Sequence, residues 1–256
     1  MLWIQAVMPL IKTNMLSISS VLWMPLIVAA LCFLSVLSIY SVLSPRLTEL
    51  SMLKKTKIEF FKFKRNFSLF ETLLQKSKPI YTIKSEDFKG VVLGHREAKL
   101  QLTVVTNPFC GHCKPVHTLV EDIYKRYGKE LSIQIYFNVN PSDKENNSTK
   151  VVTRLLELYH TKGLESCMAA MHNIYESQDA ISWLQIYGHC NDVKLYCNIL
   201  EQQYTWCIDN HINFTPELLI NGKSYPKAYD RSDLTFFVKD LLENCFVETK
   251  DLQLTT

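Results

Sequence analysis

An uncharged stretch near the amino terminus constrains the fold of this chain more than any other feature. No charged side chain occurs between Thr13 and Pro45, and the apolar part of the stretch runs from Val21 to Leu43. As a helix, residues 21–43 would rise about 34 Å, enough to cross the roughly 30 Å hydrocarbon core of a bilayer. A cleaved signal peptide has a shorter apolar region, which follows a positive start and precedes a small-residue cleavage site. We therefore predict a retained transmembrane helix at 21–43.

A second, shorter apolar stretch precedes this helix. Residues 2–11 (LWIQAVMPLI) are too few to span a bilayer alone. They could be the end of a preceding helix, with Lys12, Thr13 and Asn14 as a tight connection, in which case the chain begins inside a larger membrane protein. They could equally lie in the membrane interface. On either interpretation, residues 1–45 form a membrane segment.

A basic segment follows the apolar one and raises a conflict over orientation. We interpret residues 46–77 as a juxtamembrane linker, of which 46–65 hold seven basic and two acidic side chains. The positive-inside rule places such a segment in the cytoplasm, whereas the cysteine chemistry argued below favours an oxidising compartment. Basic and aromatic residues are interleaved from Lys54 to Phe70, which is typical of either an interfacial helix or a solvated linker helix. The rest of the chain is net acidic, so we expect no nucleic-acid binding.

The remaining sequence is typical of a folded α/β domain. Glycine and proline are sparse, at 7 and 9 of 256 residues, and no repeat is visible, which excludes collagen-like, low-complexity and repeat architectures. Periodicity predicts strands at 91–93, 100–105, 131–139 and 214–220, and a hairpin turn at Asn221-Gly222. It predicts a helix from about 116 to 127 and helices through 150–211, with breaks near Gly163, Gln178 and Gly188. A last helix is predicted at 233–244, with Ser232 as its cap. We predict one domain at 78–248, with a helical insertion at about 150–211 and a tail at 249–256.

The motif Cys110-Gly111-His112-Cys113 carries the chemistry. A Cys-x-x-Cys pair alone is only suggestive in a chain with 8 cysteines. This pair, however, lies where an apolar strand ends and an amphipathic helix begins, so unpaired backbone N–H groups and the helix dipole favour the Cys110 thiolate. Cys113, one turn further on, is placed to attack a mixed disulfide. His112 can supply a further stabilising charge or dipole.

With these features the sequence resembles the thioredoxin superfamily. Its members carry Cys-x-x-Cys after the first core strand and a cis-proline before the strand that returns beside it, and Thr215-Pro216 matches that second signature. The resemblance implies an α/β, thioredoxin-like fold with a DsbA-like helical insertion, here preceded by a transmembrane helix. It also implies a protein thiol–disulfide oxidoreductase in which Cys110 and Cys113 are catalytic, while Thr215 and Pro216 bind substrate. From its place between the cysteines, we add His112 to the catalytic residues as the side chain that tunes the Cys110 thiolate.

Two details of the resemblance bear on the redox chemistry. The Gly-His dipeptide between the cysteines is that of protein disulfide isomerases, which implies a more oxidising potential than that of thioredoxin. Val104 stands six residues before Cys110, where thioredoxins and DsbA carry a buried acid that helps to move protons. This departure weakens the case for fast deprotonation of Cys113.

The chain as a whole resembles the carboxyl-terminal part of bacterial vitamin K epoxide reductase–thioredoxin fusion proteins. In these, a final membrane helix leads to an extracytoplasmic thioredoxin domain. The resemblance implies location in the inner membrane with a periplasmic catalytic domain, protein thiols and disulfides as partners, and a vitamin K epoxide reductase-like membrane module as a further partner. The quinone-facing cysteines are absent and Cys32 alone does not replace them. We therefore expect no cofactor in this chain, and quinone only through the partner.

The other cysteines leave alternatives open. Outside the motif and the apolar run they are Cys167, Cys190, Cys197, Cys207 and Cys245. Disulfides between residues 190 and 197 or between 197 and 207 are conceivable, and buried free thiols are as compatible with the sequence.

Other functions compete with disulfide exchange. A dedicated disulfide reductase would use the same residues. A copper carrier could use Cys110, Cys113 and His117, but it needs another ligand, and no second ligand pair has metal spacing. We interpret His117 as a solvated helix residue, find no pairing signal for His172, and predict no metal site. A non-catalytic adaptor is disfavoured because both motif cysteines are retained.

Overall fold

The chain folds as a long amino-terminal helix and an α/β unit. The computed structural model describes the backbone of residues 2–85 and 87–254 and the side chains of residues 23–85 and 87–245. It divides into two units, Met1–Phe63 and Lys64–Thr256.

The amino-terminal helix α1 spans Leu2–Lys64. The tight connection interpreted at residues 12–14 is not formed, because Lys, Thr and Asn at these positions leave helical backbone geometry accessible and no Gly or Pro forces a turn. Within the part whose side chains are described, Trp23–Lys64 is long and apolar enough to cross a membrane, and none of its apolar window is buried. The predicted span at 21–43 therefore lies inside a longer helix, which continues through the basic segment.

The second unit is a mixed sheet with helices before, between and after its strands. Its elements are α2 Phe67–Lys76, β1 Val91–Gly94, β2 Leu100–Thr106, α3 Cys113–Tyr127, β3 Leu131–Phe137, α4 Asn147–Lys162, α5 Leu164–Ser177, α6 Ala180–Tyr187, α7 Val193–Asp209, β4 Glu217–Ile220, β5 Lys223–Ser224, a 3-10 turn Arg231–Asp233 and α8 Leu234–Leu254. Helices α4–α7 occupy the predicted insertion. Helices α4, α5 and α6 end at the three breaks expected from the sequence, since residues 163 and 188 are glycines with positive φ and Gln178 also has a positive φ.

The strand order is β1-β3-β2-β4-β5, with β2 in the centre. β2 pairs with β3 in parallel and with β4 antiparallel, so Val104 lies between Ile135 and Leu218. Every residue of β3 is buried. Its sequence is apolar at most positions because both faces of the central sheet are covered, as in other parallel pairings.

The predicted starts of β4 and of the last helix differ from the structure, each for a local reason. β4 begins at Glu217 rather than Phe214, because Pro216 has no N–H to donate to the sheet. The last helix follows a 3-10 turn, and Ser232 lies within that turn. The backbone N–H of Asp230 instead donates to the Asp233 carboxylate, at 2.9 Å. The hairpin turn at residues 221 and 222 is confirmed, with positive φ at both.

An aromatic cluster fixes α2 against α8 within the core. Phe70 is fully buried, and its ring stacks on Phe237 with centroids 4.1 Å apart. The ring edge of Tyr229 packs against it at 5.3 Å. Helix α2 is therefore part of the folded core, so the interpretation of residues 46–77 as a linker does not hold for residues 67–76.

Candidate active site

The two motif cysteines lie where β2 passes into α3. After β2, the carbonyl of Asn107 accepts a hydrogen bond from the Cys110 N–H at 3.0 Å, and the Asn107 side chain accepts one from Phe109 at 3.0 Å. The Cys110 carbonyl in turn accepts from the Cys113 N–H at 2.9 Å. These turns hold Cys110 just ahead of the helix, where free N–H groups and the positive end of the helix dipole face its sulfur.

The environments of the two thiols differ, and their acidities differ accordingly. Burial by itself would raise the pKa of the Cys110 thiol, but hydrogen bonds from the Thr215 side chain, from Cys113 and from the backbone of His112 outweigh it and hold that pKa below its ordinary value. Cys113 is fully buried, and burial raises the pKa of its thiol. Cys110 is half-buried and accessible. The structure thus has one accessible, acidic thiol and one enclosed, less acidic thiol, both free.

The Thr215-Pro216 peptide lies next to Cys110. It is cis, as the resemblance implied. The Cys110 thiol donates to the Thr215 carbonyl across 3.4 Å. Arg231, at the start of the last helical segment, donates to the Pro216 carbonyl at 2.7 Å. The loop before β4 is therefore held against the motif from one side and tied to the carboxyl-terminal segment from the other.

A polar chain lies behind Cys113. The Thr106 side chain hydrogen-bonds to the Cys113 thiol, and its hydroxyl is 2.7 Å from the hydroxyl of Tyr175 on α5. The Tyr175 ring stacks on His117 with centroids 4.3 Å apart. Sequence reasoning missed Thr106 and Tyr175, because only the fold brings α5 against the end of β2.

Two further residues that were singled out in the sequence, His112 and Val104, lie in different environments. His112 is exposed at the start of α3, and its side chain makes no capping hydrogen bond; its predicted tuning role stays a prediction. Val104 is buried in the central strand.

The interpretation of His117 as a solvated residue is wrong. Its side chain is 6% exposed, and burial lowers its pKa to about 4 even though Glu121 lies beside it. His172, which had no pairing signal, lies 3.1 Å from the Glu121 carboxylate. The spacing of residues 117 and 121 on one helix face was the available signal, but residue 172 comes from another helix.

Cys167, Cys190, Cys197 and Cys207 are free thiols in the structure. Cys167 and Cys207 are fully buried, and burial raises the pKa of each thiol to about 12. Burial, with the nearby Glu157 carboxylate, also raises the pKa of Cys190 to about 12. These three thiols are therefore poor nucleophiles near neutral pH, in contrast to Cys110, whose pKa is lowered.

Comparisons with known proteins agree with this architecture. The family model described as Thioredoxin matches residues 86–240, which is more than half of the chain. Among solved structures, ScsC of Proteus mirabilis in its compact conformation is similar at 17% identity with a TM-score of 0.52, over 78% of this chain and 96% of ScsC. No curated protein sequence matches significantly.

Two further structures share the fold. BdbD of Bacillus subtilis is similar at 13% identity and a TM-score of 0.51, over 65% of this chain and 97% of BdbD. The thiol-disulfide exchange protein alpha-DsbA2 of Wolbachia pipientis is similar at 15% identity and a TM-score of 0.50, over 68% of this chain and 96% of that protein. The predicted fold class is confirmed.

Proposed function

The chain belongs to the thioredoxin family, and from this premise we propose that it is a membrane-anchored thiol–disulfide oxidoreductase that exchanges disulfides with protein substrates through Cys110 and Cys113. One observation carries the proposal. An accessible Cys110 thiol with a lowered pKa stands ahead of a helix, one turn from an enclosed Cys113 thiol with a raised pKa. The similarity to alpha-DsbA2 of Wolbachia pipientis, a thiol-disulfide exchange protein, supports it.

The atoms and electrons of disulfide exchange balance with Cys110, Cys113 and two substrate thiols, without any further reactant. In the oxidising direction, a substrate thiolate attacks the Cys110 sulfur of a Cys110–Cys113 disulfide, and Cys113 leaves as a thiolate that takes up a proton. A second substrate thiolate attacks the substrate sulfur of the mixed disulfide and releases the Cys110 thiolate. The substrate loses two electrons and gains a disulfide, while the protein gains two electrons and becomes the dithiol.

The acidity of Cys110 favours this oxidising direction. Stabilising the thiolate stabilises the reduced form of the protein, and a stabilised reduced form makes the corresponding disulfide a stronger oxidant. The Gly-His dipeptide points the same way by analogy. We therefore prefer a disulfide donor over a dedicated reductase.

The loop around Pro216 suits an extended substrate chain. The Thr215 carbonyl lies 3.4 Å from the Cys110 sulfur, and Phe214 before it is 54% exposed. A cavity of about 360 Å³, lined in part by Phe214, Glu217 and Arg231, opens next to this loop. A substrate backbone alongside Thr215 would place its disulfide at Cys110 and a neighbouring side chain near the cavity.

Trapping the mixed disulfide tests the proposed chemistry. In Cys113→Ala the resolving thiol is gone, so the substrate–Cys110 bond should persist and appear as reductant-sensitive species of higher mass after acid quenching of cells. The Cys110→Ala/Cys113→Ala double variant should trap nothing. Absence of any mixed disulfide, together with stoichiometric copper binding, would instead support a copper-handling protein.

The identity of the trapped proteins decides between the forms of the proposal. Secreted polypeptides would support a disulfide donor or isomerase, whereas a cytochrome-maturation or copper protein would indicate a dedicated reductase.

We also propose that a vitamin K epoxide reductase-like membrane module re-oxidises the Cys110–Cys113 pair, with quinone bound only in that partner. Such a module should be among the membrane proteins captured on Cys110.

We propose that α1 anchors the chain with its α/β unit on the extracytoplasmic side. The length and apolar character of α1 support anchoring, and the disulfides that a disulfide donor forms persist in an oxidising compartment. After mild reduction, a membrane-impermeant maleimide should label Cys110 in right-side-out vesicles, and Cys110→Ser should remove that label. Labelling confined to inside-out vesicles would place the domain in the cytoplasm, as the basic segment at 46–65 suggests.

A further inference from the structure

A second cluster of reactive side chains lies on α3, beyond the cysteines. His117 and Glu121 occupy one face of this helix, and His172 reaches them from α5. One ligating atom from each side chain lies within 4.8 Å of the other two. The Glu121 Oε1 atom is 3.0 Å from His117 Nε2 and 3.1 Å from His172 Nδ1.

The buried imidazole of His117 leaves the hydrogen-bonding capacity of its Nε2 atom unused. Its side chain is 94% buried, and among the residues that the structure describes its Nε2 atom has no hydrogen-bond partner, although it faces the Glu121 carboxylate. The contact at 3.0 Å therefore lies outside hydrogen-bonding geometry. A buried nitrogen without a partner destabilises the folded chain, and a cation beside both atoms would remove that cost.

The neighbouring charges leave the relevant carboxylate oxygen available. Lys125 approaches the other oxygen of Glu121, at 3.7 Å, and is largely exposed. Lys114 and Glu176 pair with each other at 2.8 Å. Glu121 and His172 also line a cavity of about 520 Å³ between α3 and α5, which gives an ion a route from solvent.

We propose that His117 Nε2, Glu121 Oε1 and His172 Nδ1 bind one divalent first-row transition-metal ion of the Zn²⁺ type, with solvent in the fourth position. Two imidazoles and one carboxylate are a ligand set that such ions accept, whereas Ca²⁺ and Mg²⁺ prefer oxygen alone. Ligands of a tetrahedral zinc ion are about 3.3 Å apart for bonds of about 2.0 Å. The two short distances need to open by only a few tenths of an ångström.

The site lies beyond the proposed disulfide exchange and does not depend on it. The ion would join α3, which begins at Cys113, to α5 of the helical insertion. Binding would stabilise the folded chain in proportion to its saturation, because the unfolded chain holds no preformed site.

Metal titration of the full chain in detergent tests the site. The background is Cys110→Ser/Cys113→Ser, so that the motif thiols cannot contribute. We expect one Zn²⁺ per chain by calorimetry, and at least about a 100-fold weaker affinity in His172→Ala and in Glu121→Gln. His172 is 58% exposed at its side chain, so its replacement leaves the core intact. His189→Ala, an exposed histidine outside the cluster, should bind as tightly as the parent.

Cobalt substitution separates this site from binding by the other cysteines. The Co²⁺ complex should show weak d–d bands and no thiolate-to-metal charge-transfer band, because the three ligands are nitrogen and oxygen. Equal affinity in His172→Ala and the parent, no stoichiometric binding, or a charge-transfer band would each overturn the proposal. Since the background carries no motif thiols, such a failure would leave the proposed disulfide exchange untouched.

Discussion

Replacing Cys110 by serine is expected to reduce disulfide exchange by at least about 10³-fold, to the uncatalysed background. A serine hydroxyl cannot form the mixed disulfide, and loss of a covalent nucleophile removes the step on which the rest of the acceleration depends. The initial rate of oxidation of a reduced, unfolded model protein by the full chain measures this loss. Cys245→Ser, at a half-buried thiol outside the motif, should keep the parent rate.

The pH dependence of Cys110 identifies the source of its reactivity. Its folded pKa lies below the ordinary value, so the thiolate fraction should rise and level off at a lower pH in the folded chain than in urea. The rate of alkylation of Cys110 by iodoacetamide, read by mass spectrometry from pH 4 to 10, follows that fraction. Thr215→Val should move the midpoint to higher pH, because the hydrogen bond from the Thr215 side chain is lost. Coincident folded and unfolded midpoints would contradict the proposed activation.

Replacing Phe70 by alanine is expected to lower the free energy of unfolding by about 3–5 kcal/mol, the usual cost of removing a buried aromatic ring. Phe70 is fully buried and stacked on Phe237, so the vacated space lies between α2 and α8 and cannot fill with solvent cheaply. This is a large part of the 5–15 kcal/mol that stabilises a typical domain. The midpoint of a urea titration in detergent, followed by tryptophan fluorescence, measures the change.

The control for this variant is another phenylalanine. Phe214→Ala removes the same atoms from an exposed position and should change the stability by no more than about 0.5 kcal/mol. If both variants unfolded at the same urea concentration, α2 would not belong to the cooperative core, and the interpretation of residues 67–76 as a linker would stand.

The elements that the sequence predicted well are those with strong local signals. The alternation of β2 and the apolar stripe of α3 reflect burial on a sheet face and on a helix face, so their bounds differ from the prediction by at most a few residues. The breaks at Gly163 and Gly188 follow from backbone geometry that other residues rarely adopt. The position of the Cys110 motif between strand and helix was predictable for the same reason.

The parts that could not be predicted depend on contacts between distant segments. The burial of His117 requires α5 to cover α3, and no sequence pattern near residue 117 indicates where α5 packs. The helix through residues 12–14 could not be predicted for a different reason. A polar tripeptide in an apolar stretch is typical of turns and of helices alike. Only Thr215-Pro216 was placed across a long interval, and this came from a resemblance to a known family.

The arrangement of Cys110 and Thr215 has a consequence for biogenesis. The two residues are 105 positions apart, and five helices lie between them in the chain. At ribosomal rates of about 5–20 residues per second, Cys110 is made roughly 5–20 s before its partner. Until the segment before β4 reaches the motif, Cys110 lacks the hydrogen bond from the Thr215 side chain, which is one of the contacts that lower its pKa. The full acidity of Cys110 is therefore reached only after the segment that holds Thr215 has been made and has folded against the motif.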